Sequence, residues 1–94
     1  MSITNLDSLE TTTELLHNDD AVLIYFSHEN CNVCKVLKPK VIQLVENHFP
    51  KMTMCFADTV RNPEIPAQFG VFTVPAIIVF FGGKENFRKS RNIG

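Results

Sequence analysis

Cys31-Asn32-Val33-Cys34 places two thiols two residues apart in a chain that holds only three cysteines. If the first cysteine opens a helix, the pair sits one turn apart on the same side and can close a disulfide. Unpaired backbone N–H groups and the helix dipole then favour a negative charge on Cys31, so its thiolate forms at a lower pH than a free cysteine's. Cys34, inside the first turn and less exposed, keeps its proton longer. This is the arrangement dithiol exchange needs. Cys31 attacks a substrate disulfide, a mixed disulfide forms, and Cys34 resolves it. The same motif is also half of a zinc site. Zinc needs further ligands, and there is no second cysteine pair; Cys55, His17, His28 and His48 are scattered. No metal is expected. A third reading is a pair without turnover, in a module that only binds.

The flanking sequence supplies the helix and the strands that must position the pair. Ala21 to Phe26 is a short, nearly continuous apolar run, the pattern of a strand buried on both faces. Ser27-His28-Glu29-Asn30 is turn-like, and a helix is expected from Cys31 to about His48. Leu37, Val41, Leu44, Val45 and His48 mark its core-facing stripe, and Pro39 should kink it. Upstream, Ser8 to Asn18 reads as a helix capped by Asp7. Downstream, Met52 to Ala57 reads as a strand. Asn62-Pro63 reads as a cap with proline at the first position of a short helix, interrupted by Pro66 and closed by Gly70. Ala76 to Phe81 is a further strand, Gly82-Gly83 a turn, and Asn86 to Ser90 an antiparallel return. Strands alternating with helices argue an α/β fold with a parallel start, and the terminal hairpin makes the sheet mixed.

Composition narrows the class. Ninety-four residues make one domain, with 45% hydrophobic and 20% charged residues, an ordinary globular mixture. A net charge of -1 points to neither nucleic acid nor an anionic membrane as partner. The run from Lys84 to Arg91 reads as a solvated hairpin. No basic segment followed by an apolar stretch opens the chain, and Val74 to Phe81 is too short to span a bilayer. A cytoplasmic protein is expected. His28 and Glu29 precede the motif as residues that face water or tune it electrostatically. Cys55, in a strand, reads as an inert buried thiol.

At these residues the sequence resembles the thioredoxin family over nearly its whole length. Val22 to Phe26 resembles the strand leading to that family's active site, and Cys31-Asn32-Val33-Cys34-Lys35 its active-site turn with the following lysine. Pro39 falls where the family carries a proline in this helix. Thr73-Val74-Pro75-Ala76-Ile77-Ile78-Val79-Phe80 is similar to the stretch before its fourth strand. The resemblance implies a thioredoxin-like fold over residues 1–94, with a mixed four- to five-stranded sheet flanked by helices. It also implies a cis Val74–Pro75 bond facing the cysteine pair, where Thr73, Val74 and Pro75 bind substrate, the backbone of Val74 pairing with the client. The implied activity is reduction of protein disulfides, with electrons from a thioredoxin reductase and no cofactor beyond the Cys31–Cys34 disulfide.

Several positions depart from the family. Asn32-Val33 replaces the usual Gly-Pro, a dipeptide that tunes the thiolate and the redox potential. Ser27 and Asn30 stand where aromatic residues are common. Tyr25 replaces the buried acid that helps deprotonate the resolving cysteine, and a tyrosine is a poor base near neutral pH. The chain stops at Asn92-Ile93-Gly94, about where the family's last helix begins, so that helix is expected to be absent. The bared sheet face would then favour a homodimer. These departures support an alternative, a specialised redox or binding module with few clients or no turnover.

Overall fold

The computed structural model describes residues 3–90. In chain order these form β1 (Ile3–Leu6), α1 (Leu9–Asn18), β2 (Ala21–Ser27), α2 (Asn32–His48), β3 (Thr53–Asp58), α3 (Glu64–Phe69), β4 (Ala76–Phe81) and β5 (Lys84–Ser90). The five strands lie in one mixed sheet in the order β1-β3-β2-β4-β5. β1 and β2 run parallel to β3, whereas β2–β4 and β4–β5 are antiparallel. This is the α/β architecture with a flanked, mixed sheet that the sequence suggests.

β2 explains why the sheet needs helices on both sides. Val22, Ile24 and Phe26 point into the core shared with Leu16 of α1 and Ile65 of α3. Leu23 and Tyr25 point the other way, into a core with Val41 and Val45 of α2 and Met54 of β3. Alternate side chains of one apolar strand thus serve two cores. On the α2 side the sheet is less covered toward its β5 edge. There Val79 is half-buried, and Phe81 and Phe87 are 46% and 52% exposed.

The structure corrects the sequence reading locally. β1 has no counterpart among the expected strands, because of its four residues only Leu6 is buried and no period of two shows. Ser8, not Asp7, caps α1: its Oγ accepts the Thr11 N–H at 3.0 Å. In α2 the buried stripe is Cys34, Val41 and Val45, whereas Leu44 is 53% exposed and His48 is exposed. α2 continues through Pro39. The Lys35 carbonyl loses its helical partner there, but both residues are exposed and water can replace it. α3 begins at Glu64 with Pro63 in the cap position, and Pro66 does not interrupt it. Pro66 lies in the first turn, where its missing N–H has no helical partner to lose. β5 starts at Lys84 rather than Asn86, directly after the two-residue turn. Gly82 and Gly83 both have positive φ, 58° and 80°, as that turn type requires. The expectation about the chain's end at Asn92–Gly94 lies outside the described residues, as does Arg91. No helix among the described residues is long and apolar enough to cross a membrane.

Candidate functional site

The pair occupies the junction between β2 and α2. After Ser27 the chain turns through His28, Glu29 and Asn30, and the Cys31 N–H donates to the His28 carbonyl at 3.2 Å. Cys31 is the N-cap of α2, with extended backbone (φ -92°, ψ 100°). Its Sγ accepts the Cys34 N–H at 3.2 Å, in place of the oxygen a serine or aspartate would present. The first turn of α2 carries no acidic residue, so the positive end of the helix faces this sulfur without internal compensation.

Cys31 and Cys34 form a disulfide with their Cα atoms 5.2 Å apart. Cys31 is half-buried, whereas Cys34 is 2% exposed. The bond therefore presents one sulfur outward and shields the other. Asn32 and Val33 between them are exposed, Val33 at 61%, and take no part in the cap.

Behind Cys34 stands Tyr25. Its hydroxyl donates to the Cys34 carbonyl at 2.8 Å in a fully buried contact. Burial raises its pKa above the ordinary tyrosine value. Tyr25 is thus a donor that ties β2 to the first turn of α2, not a proton acceptor. Its ring meets Phe56, the paired residue on β3, edge-on at 5.9 Å. Over the other aromatic partner, the Lys38 ammonium lies 4.0 Å from the Phe56 centroid. Cys34, Lys38 and Phe56 all line a cavity of about 650 Å³. His28 also lines it, and its Nδ1 is buried without a hydrogen-bond partner among the described residues.

Sheet register brings the Thr73–Pro75 segment to the same end. Phe26, at the end of β2, pairs with Ala76, the first residue of β4, so Pro75 adjoins the turn that carries Cys31. The Val74–Pro75 bond is cis. Pro75 is buried, Val74 half-buried and Thr73 exposed. One contributor to this region escapes the sequence. Arg88 of β5 donates to the carbonyls of Phe69 at 2.7 Å and Gly70 at 3.4 Å, fastening the end of α3 just before this segment. Within a basic run nothing marks Arg88 out. Lys38 did carry a signal, its position four residues after Cys34.

Cys55 lies apart. It is fully buried among side chains of the α1/α3 core, on the opposite sheet face from Tyr25 and Met54. Burial, aided by the negative charge of Asp19, pushes its thiol up to about 12. Among the described residues, no three His, Cys, Asp or Glu side chains group as metal ligands would.

Comparison with known proteins bears on this geometry. The family model described as thioredoxin matches residues 3–92. The thioredoxin of Chlorobaculum thiosulfatiphilum is 33% identical over 72 residues, 77% of this chain and 67% of that one. The thioredoxin of Alicyclobacillus acidocaldarius is 31% identical over 71 residues, covering 76% and 68%. Among solved structures, oxidised mitochondrial thioredoxin 3 of Saccharomyces cerevisiae superposes with a TM-score of 0.86 at 23% identity, over 93% of this chain and 81% of that one. That last likeness speaks to the fold.

Proposed function

The chain belongs to the thioredoxin family of thiol–disulfide oxidoreductases, and from that premise we propose that it reduces disulfides of client proteins, with Cys31 attacking and Cys34 resolving. One observation carries the reading. The outward sulfur is the N-cap of α2 and receives a backbone N–H, while its partner is almost wholly enclosed. Once the pair is reduced, that N–H and the helix dipole favour the Cys31 thiolate over the thiol. The thiolate displaces one client sulfur and forms the mixed disulfide. Cys34 then attacks Cys31, the client leaves as a dithiol, and the bond seen here is restored. The disulfide is itself the electron carrier, so no separate cofactor is required.

Client positioning falls to the Thr73-Val74-Pro75 segment. An extended client strand hydrogen-bonds to the Val74 backbone, in the manner of strand addition, beside the outward sulfur. Asn32 and Val33 tune the potential through the turn they form. Electrons come from a thioredoxin reductase, and the protein works in the cytoplasm, where the reducing poise keeps such a pair cycling. On the α2 side, the exposed Phe81 and Phe87 beside Val79 suit a second copy of the chain. Sedimentation at high micromolar concentration should show a dimer, and a monomer there would dismiss it.

A more specialised redox module with few clients is favoured by one feature, the Tyr25 hydroxyl that donates where an acid would accept. Turnover of a model protein disulfide with dithiothreitol tests the main reading. Cys31→Ser should fall to the rate of dithiothreitol alone, and Cys34→Ser should accumulate mixed disulfides detectable by mass. If Cys34→Ser turned over at the parent rate and trapped nothing, the two-cysteine mechanism would be wrong.

A further inference from the structure

Resolution requires the enclosed Cys34 to lose its proton, and the side chain behind it is unsuited to take it. Tyr25 has its hydroxyl proton committed to the Cys34 carbonyl. Phe56, its neighbour across the sheet, carries no polar atom. What the structure places on the wall of the same cavity is a cation. Lys38 follows Cys34 by four residues on α2, a spacing that puts both side chains on one face with Cβ atoms roughly 5–6 Å apart. An ordinary surface lysine samples many rotamers, whereas this one lies with its ammonium 4.0 Å from the centre of the Phe56 ring. Cys34, Phe56 and Lys38 share the wall of one cavity.

We propose that Lys38, seated on Phe56, is the positioning residue that favours the thiolate of Cys34 during resolution. The inference rests on the exchange reading above and assigns it an electrostatic aid. In the mixed disulfide, the Cys34 S–H gives its proton to water in the open cavity. The thiolate pair forms the bond to the Cys31 sulfur, the Cys31–client bond breaks, and the client sulfur leaves with that electron pair and is protonated by water. Two electrons pass from the dithiol to the client disulfide. A cation beside the nascent thiolate favours the first of these events.

Other charges face the same cavity, and they nearly balance. Asp7, Glu29 and Asp58 oppose Lys35, Lys38 and Arg61, with His28 alongside. Placement separates them. Asp58 is engaged by the Val60 and Arg61 amides at 2.9 and 3.0 Å. Lys35, next in sequence to Cys34, lines the cavity as well, but the cation seated on the Phe56 ring is Lys38. Lys38 combines the Cys34 face of α2 with a fixed seat.

Mixing the reduced protein with a chromogenic aromatic disulfide separates the two steps, since Cys31 attack releases one coloured thiolate and Cys34 attack the second. Lys38→Met keeps the length and removes the charge. Its second phase should slow relative to the first by about threefold near neutral pH, with the rate midpoint raised by about half a pH unit. Lys38→Arg should restore the profile. Phe56→Leu, which keeps the charge and removes its seat, should shift the midpoint part of the way. Raising salt should narrow the gap between wild type and Lys38→Met. A Lys38→Met profile superimposable on wild type overturns the role of Lys38. A wild-type protein that releases only one equivalent overturns instead the exchange reading on which it rests.

Discussion

Cys34 and Cys55 are enclosed to nearly the same degree, 2% and 0% exposed, yet their surroundings prepare them for opposite fates. Cys34 lies in the first turn of a helix, bonded to a half-exposed partner, and lines a cavity that Lys38 also lines. Cys55 sits in the middle of β3, facing the apolar core beneath α1 and α3, with the nearest influential charge negative. Burial by itself therefore does not set thiol reactivity. What differs is whether a partner thiol, a cation and a route for water and protons lie near the sulfur.

The largest effect that would sharpen this contrast is alkaline. The Cys55 thiol rises to about 12 in the folded chain from an ordinary value of 9.0. Below 9.0 both states keep the proton and the group has no influence on stability. Above it the unfolded chain ionises first, so stability falls as pH rises toward the folded value, by up to about 1.4 kcal/mol per pH unit. Urea melts of the reduced protein from pH 8 to 10, below the range where the unfolded Tyr25 largely ionises, should show this slope, and Cys55→Val should reduce it. An unchanged slope in Cys55→Val would mean that Cys55 is not the group responsible. Next in size, Cys55→Ser puts a hydroxyl in a dry site and should cost about 1–3 kcal/mol while exchange kinetics stay as they are. Slower exchange in a folded Cys55→Ser would break the separation between the two cores.

How legible these two environments were in the sequence follows from the range of the interactions that make them. The apolar run of β2 and the Cys31-Asn32-Val33-Cys34 turn opening an amphipathic helix are local patterns, and they give the sheet centre and the placement of the pair. β4 and the Gly82-Gly83 turn are local in the same sense. β1 was not legible, because its role is to pair with β3 and bury Leu6, which leaves no period in four residues. Lys38 over Phe56 and Arg88 on the Phe69 carbonyl join residues distant in sequence, so neither side chain declares its partner. Asp7 and Ser8 are both good caps, and only backbone geometry selects Ser8.

The smallest expected effect concerns Tyr25. Tyr25→Phe removes the hydrogen bond to the Cys34 carbonyl but keeps the ring against Phe56, and should lower stability by about 1 kcal/mol. Because the hydroxyl is a donor with a raised pKa, the pH midpoint of resolution should not move. A midpoint that moved would make Tyr25 part of the proton path and narrow the role left for Lys38.

The most direct test is the order in which the three thiols of the reduced, folded protein are alkylated near neutral pH, followed by mass. The account predicts rapid labelling of Cys31, slow labelling of Cys34, and none of Cys55 until the chain unfolds. It also predicts that a graded glutathione series oxidises and reduces the Cys31/Cys34 pair reversibly as a two-electron couple. Labelling of Cys31 no faster than Cys55, or a pair that glutathione cannot cycle, would contradict it.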